Sequence, residues 1–241
     1  MKILFAYERK ERTRQTIMRS LEAKPRRRGH RASGFSLIEM MIVVALTIVV
    51  SVMSVVSFTP LVNSQRVTNA YNTTLAAMRQ ARDNAVSQRT SYSVTFSNSV
   101  TPNTITIAWA PASGETSLPN GSIPASVSYQ YPTTVLFAIP PTNSTPAPDN
   151  YGSGGNAIDF GYTSNGNTGG TTQNVVYFCP DGSAQITNTC SGAGNWDGGV
   201  VYLMRTGDVG SYRAVSLWGG TGRIHGWRLY ARTGGYQWLR Q

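Results

Sequence analysis

Histidine and cysteine are nearly absent from this 241-residue chain, which has two of each. A structural zinc site takes four such ligands, and His30 and His225 lie far in sequence from Cys179 and Cys190, so no metal or cofactor site is expected. No HExxH, Cys-His or Ser-His-Asp arrangement assembles around His225, and a membrane-anchored enzyme built on it or on the loop acids is disfavoured. Charge is also scarce, at 13% of residues. Lysine is missing altogether after residue 34, and residues 91–204 hold neither lysine nor arginine. The net charge of +10 invites a nucleic-acid reading, but 11 of the 21 cations fall in residues 1–34. Gly219-Gly220-Thr221-Gly222 precedes no helical pattern, which argues against a phosphate-binding loop. No internal repeat is evident.

What the chain does have is one long apolar run. Met40 to Phe58 is 19 residues without a charge, interrupted only by Thr47, Ser51, Ser54 and Ser57. As helix it spans about 30 Å, the thickness of a bilayer core. Its β-branched content does not argue for strand, because in lipid the backbone must satisfy its own hydrogen bonds. A buried core helix is the competing reading. The cations that precede the run place the N-terminus in the cytoplasm and the remainder outside. A secretory signal carries its small residue after the apolar core; here Gly34 comes before it, in inverted order.

The segment Gly34-Phe35-Ser36-Leu37-Ile38-Glu39, with its basic leader and the apolar helix that follows at once, resembles the type IV prepilin signal shared by pilins and the pseudopilins of type II secretion. The resemblance implies cleavage after Gly34 by a prepilin peptidase, methylation of the new Phe35 amine, and retention of the helix. It also implies a partner for Glu39, the one acid at the membrane boundary, in the Phe35 amine of a neighbouring subunit; an unpaired ionisable group is costly there. The leader is long for such a signal, and Met18 offers an internal start. The implied partners are the peptidase, other pilins or pseudopilins, the inner-membrane assembly platform and the membrane itself.

Beyond Pro60, apolar residues recur at Val67, Ala70, Tyr71, Leu75, Met78, Ala81 and Ala85, the spacing of one helical face, while Gln65, Asn69, Asn72, Gln80, Asp83 and Asn84 are polar. This predicts an amphipathic arm to about Gln88, with a kink expected at Pro60. Arg66, Arg79, Arg82 and Arg89 read as solvated positions. From Ser91 the pattern shortens to β-rich runs at 92–96, 104–109, 127–131, 135–139, 175–178, 200–204, 212–217 and 223–230, with turns expected at Asn120-Gly121, Asp181-Gly182 and Asp197-Gly198. Residues 140–174 read as loop with at most one short strand, 157–160. The expected organisation is a cleaved basic leader (1–34), a transmembrane helix (35–62), a helical arm (63–90) and a β-rich periplasmic head (91–241). The fold class is α+β and pilin-like, a long N-terminal helix packed on an antiparallel head.

Cys179 and Cys190 are an even pair in a segment expected outside the membrane, where the compartment is oxidising; a disulfide is expected, with two independent thiols as the alternative. Residues 205–241 carry six arginines against Asp208. Residues 212–218 and 223–230 form an expected terminal hairpin. It is similar to the closing strands of the GspH/FimT family of pseudopilins and minor pilins, in which a strand is followed by a G-R turn. Some FimT-like members bind DNA through arginines at that motif, which Gly222-Arg223 matches; His225 replaces the usual following arginine. Arg223, Arg228 and Arg232, interleaved with Trp227, Tyr230, Tyr236 and Trp238, are thus candidate DNA contacts. The competing reading is a half-buried edge strand in which Trp227 and Leu229 alternate with Arg228. The sequence therefore points to a non-enzymatic pseudopilin or minor pilin of a type II secretion pseudopilus or type IV pilus, with a DNA-binding minor pilin for transformation as the alternative.

Overall fold

The computed structural model describes residues 34–99, 101–111, 125–152, 155–163, 173–190 and 196–241, with only the backbone of 55–57, 59, 60 and 163. The leader, the internal start at Met18, the Asn120-Gly121 turn and residues 164–172 of the expected loop lie outside the described residues. Among the described residues, one helix, α1 (Leu37–Gln88), is followed by strands and a short 3-10 turn. The chain divides into two units at Met53/Ser54, within α1, and each is taken by itself. Pro60 leaves the assigned helix unbroken.

In the first unit, α1 opens at Leu37, and every described residue from Gly34 to Met53 is exposed. The window Leu37–Ser54 has a mean hydropathy of 2.4 and is long and apolar enough to cross a membrane. An apolar helix without a core to bury it meets that condition.

In the second unit, the remainder of α1 buries the stripe anticipated from its spacing. Val67, Ala70, Tyr71, Met78, Ala81 and Ala85 are all buried, Leu75 is partly buried against the same core, and Thr74 and Ala77 complete the stripe. Thr74 survives inside because its hydroxyl is spoken for, by Ala70 O at 2.8 Å and by the Tyr131 hydroxyl at 2.8 Å. The helix ends at Gln88, one residue before Arg89 takes a left-handed φ of 55°.

The strands form two antiparallel sheets. The first has the order β3-β2-β1-β6-β7, made of β1 (Tyr92–Ser97), β2 (Thr104–Trp109), β3 (Ser126–Gln130), β6 (Val175–Phe178) and β7 (Ala184–Gln185). The second runs β11-β10-β9-β8-β4, with β5 also paired to β8; it comprises β4 (Val135–Phe137), β5 (Ile158–Thr163), β8 (Asp197–Arg205), β9 (Asp208–Trp218), β10 (Arg223–Arg232) and β11 (Gly235–Arg240). One core lies between the helix stripe and both sheets, with Phe96 stacked on Phe160 at 5.4 Å and edge-on to Phe137 at 5.8 Å. A second cluster of Tyr151, Val200, Tyr202, Tyr212, Ala214, Leu229 and Trp238 covers the other face of the second sheet. Strand parity explains the division: Val201 and Leu203 enter the first core, Val200 and Tyr202 the second, so β8 is buried on both faces and reads as an unbroken apolar run.

Three expectations need correction. Asp197-Gly198 is not a turn but the start of β8. Gly198 and Gly199 serve close packing, since a side chain on Gly198 would come within 2.5 Å of the Tyr151 ring and one on Gly199 would strike Phe160 of β5. The segment 140–174 is more than loop: β5 is six residues long and continues past 160, and Tyr151 is buried in the second core. The hairpin at 212–230 is not terminal, because Gly234 takes φ 88° and turns the chain into β11. That extra strand makes β10 interior rather than an edge.

Candidate functional site

Two regions carry the residues singled out above. At the N-terminus, Gly34 is exposed and a side chain built there would meet nothing within 4 Å, an accessibility that a peptidase requires. Phe35 is 71% exposed beside it. Ser36 O accepts the first helical bond from Met40 N at 3.1 Å. Glu39 lies in the first turn of α1, where a carboxylate is favoured by the free N–H groups and the positive end of the helix dipole. Glu39 is exposed and pairs with no cation among the described residues.

The second region surrounds the turn Gly219–Gly222 between β9 and β10. Cys179 and Cys190 form a disulfide, with Cα atoms 5.6 Å apart. The turn inside that loop is held by Asp181, whose Oδ1 accepts from the Ser183 amide at 2.8 Å and the Ser183 hydroxyl at 2.6 Å. The loop then pins the hairpin: Ala184 N donates to Gly219 O at 2.7 Å, and Arg82 Nε donates to Gly182 O at 3.3 Å.

On the outer side of β10, His225 Nδ1 lies 2.7 Å from Asp149 Oδ2, which also accepts from the Ser216 hydroxyl at 2.5 Å; Trp227 Nε1 donates to Ser216 Oγ at 2.8 Å. Asp149 and Asn150 reach this position with left-handed φ of 51° and 61°, backbone strain that the part-buried bonds of Asp149 offset. The network ties the segment after β4 to β9 and β10. Its nucleophile-sized hydroxyl, on Ser216, is fully buried and already donates to the carboxylate, so the arrangement is an anchor rather than a hydrolytic triad.

The three tail arginines do not converge. In β10, Arg223 shares its face with His225, Trp227 and Leu229, whereas Arg228 and Arg232 share theirs with Ile224 and Gly226 on the helix side. Arg228 lies directly across from Arg213 and stacks on Tyr230 at 5.1 Å. Burial, then the Arg228 charge, push Arg213 below the usual guanidinium range. Arg223 instead shares a cleft with Arg79 and Arg82 of α1. Those helix arginines had read as solvent-facing; only knowledge of which turn lies against α1 would have joined them to Arg223.

Residues 29–55 fit the family model described as the prokaryotic N-terminal methylation motif. No curated protein and no solved structure matches the chain. The matched segment contains Gly34, Phe35 and Glu39 and most of the exposed apolar part of α1, and the motif implies processing by prepilin peptidase and assembly with other pilins. With its apolar N-terminal helix followed by antiparallel sheets, the chain has an α+β pilin-like fold and the amino terminus of a type IV prepilin-like protein.

Proposed function

We propose that the chain is a GspH/FimT-like pseudopilin or minor pilin, a non-enzymatic subunit of a type II secretion pseudopilus or a type IV pilus. The single observation that carries this reading is the methylation motif at 29–55, placed on an exposed apolar helix preceded by an accessible Gly34. In this reading, residues 1–34 are a cleaved leader, 35–62 anchor the chain in the inner membrane with a cytoplasmic N-terminus, 63–90 form the arm, and 91–241 the periplasmic head. Prepilin peptidase cuts after Gly34 and methylates Phe35. Extraction by the assembly platform then packs α1 into a helical bundle, where the Glu39 carboxylate neutralises the Phe35 ammonium of the adjoining subunit in a medium that penalises either charge alone.

The scattering of Arg223, Arg228 and Arg232 over two faces of β10 favours this reading over a DNA receptor, which would need a continuous cationic track. The test is mass spectrometry of the mature N-terminus together with filament incorporation of Glu39→Val. A methylated Phe35 terminus is expected, with a variant that inserts and is processed but does not assemble. An unprocessed chain, or normal incorporation of the variant, would overturn the reading.

A further inference from the structure

Within the second unit, the C-terminal part of α1 meets the β9–β10 turn at a cleft of about 460 Å³ lined by Arg79, Arg82, Asp83, Thr221, Gly222 and Arg223, with Ile224. The cleft is built, not incidental. The disulfide-closed loop backs it through Gly182, whose carbonyl fixes one edge of the Arg82 guanidinium. Gly182 and Gly222 both take left-handed φ, +82° and +59°, and a side chain on Gly222 would overlap the Gly182 carbonyl and come within 2.8 Å of Arg82 Nε. The two turns are therefore in mutual contact around Arg82. Among the described residues, no carboxylate forms an ion pair with Arg79, Arg82 or Arg223, so three arginines without an acidic partner line one open cleft, with Asp83 the acid among its lining residues.

We infer that this cleft binds an acidic peptide segment of another protein. The arginines would take its carboxylates, a geometry that guanidinium forks match, while Asp83 can accept a backbone amide from the same segment. Asp83 is what favours a peptide over a polyphosphate, which brings no N–H along its backbone and would be repelled. The volume suits one or two side chains rather than a duplex, and Arg228 and Arg232, although on the helix side of β10, are not among the residues that line it.

A second copy of this chain offers no free acidic segment among its described residues. Beyond Gly34 the sequence contains no two adjacent or closely spaced acids. The acids among the described residues of the head are already engaged: Asp149 by Ser216 and His225, Asp159 by Tyr162, Asp181 by Ser183, Asp197 by the Ile186 amide and Asp208 by Arg205. The proposal deepens the filament-subunit reading and rests on it only for the setting in which a neighbouring protein presents its acidic segment.

The test uses the full chain in detergent micelles and a fluorescein-labelled hexaglutamate peptide, followed by anisotropy at low and at physiological ionic strength. Arg79→Gln/Arg223→Gln should weaken binding by about tenfold or more, as expected for two charge-assisted contacts. Arg66→Gln/Arg232→Gln, which removes the same charge elsewhere, should leave it within about twofold, so that general electrostatic attraction is separated from the cleft. Arg82 is spared because it also braces the two turns. No binding at low salt, equal loss in the two variants, or tighter binding of a duplex DNA through the same arginines would each overturn the proposal. Peptide binding without N-terminal processing would sink the filament reading alone; processing and assembly without peptide binding would sink only this one.

Discussion

Gly226→Ala tests the seating of α1 on the second sheet. Gly226 pairs with Val215 across β9–β10 and lies under the helix. A methyl group there would overlap the Tyr71 hydroxyl oxygen and come within 2.7 Å of Tyr71 Cζ, against about 3.5–4.0 Å for a comfortable carbon contact. Gly226 has no left-handed φ to protect, so alanine would by itself stabilise the chain by about 0.4–1 kcal/mol through the unfolded state. The overlap should win. Tyr71 is 7% exposed and part of the main core, so its ring can escape only by lifting the helix or leaving its rotamer, at about 1–3 kcal/mol or more. For a unit of this size that corresponds to a fall in Tm of about 2–4 °C per kcal/mol. Thermal unfolding followed by circular dichroism, with Gly226→Ala, Tyr71→Ala and the double variant, gives the cycle: the double should be less destabilised than the sum, because the smaller helix residue makes room. Additive losses, or an unchanged Tm in Gly226→Ala, would refute this account of helix and sheet meeting at Tyr71.

Reduction of Cys179–Cys190, or Cys179→Ser/Cys190→Ser, should cost about 3 kcal/mol on the chain-entropy treatment, and intact mass with and without reductant should differ by two hydrogens; two free thiols in the chain purified without reductant would be the losing outcome. Thr74→Val should destabilise by about 1–3 kcal/mol by stranding the buried Tyr131 hydroxyl, and Tyr131→Phe in the same background should recover part of that loss; no recovery would assign the cost to packing instead. Burial raises the tyrosines at 71, 92, 131, 151, 202 and 212 above the ordinary value of 10.0, Tyr151 to about 12, with the Asp149 charge adding to the effect of burial there. Because the folded state holds these protons longer than the unfolded chain, stability is intact below pH 10 and falls as pH rises through about 12; absorbance at 295 nm should show a native subset titrating late, and uniform titration of all 12 tyrosines near pH 10 would contradict it.

Local pattern carried a large part of this protein. The motif at Gly34–Glu39 and the uncharged run after it are contiguous, so both were legible, and the family match falls on them. The helix stripe at Val67 to Ala85 follows from a period of 3.6, and β2 and β6 begin and end where their β-branched runs do. Local pattern failed where a residue's role depends on a distant partner. Asp197-Gly198 has turn chemistry, yet its glycine is there because Tyr151 and β5 pack against it. β11 was missed because Gln237 and Trp238 alternate too weakly to announce a strand, and its place is set by pairing with β10.

The arginines show the division most plainly. Sequence alone determined that the cations after residue 34 are all arginine and that six of them cluster after residue 204. Only the tertiary structure decided which of them share a surface. Strand parity sends Arg223 and Arg228 to opposite faces of β10, and the contact of two glycine turns with α1 unites Arg223 with Arg79 and Arg82, more than 140 residues earlier. Periodicity reports which side of an element a residue occupies; what lies opposite that side is fixed by the packing of both sheets against one helix.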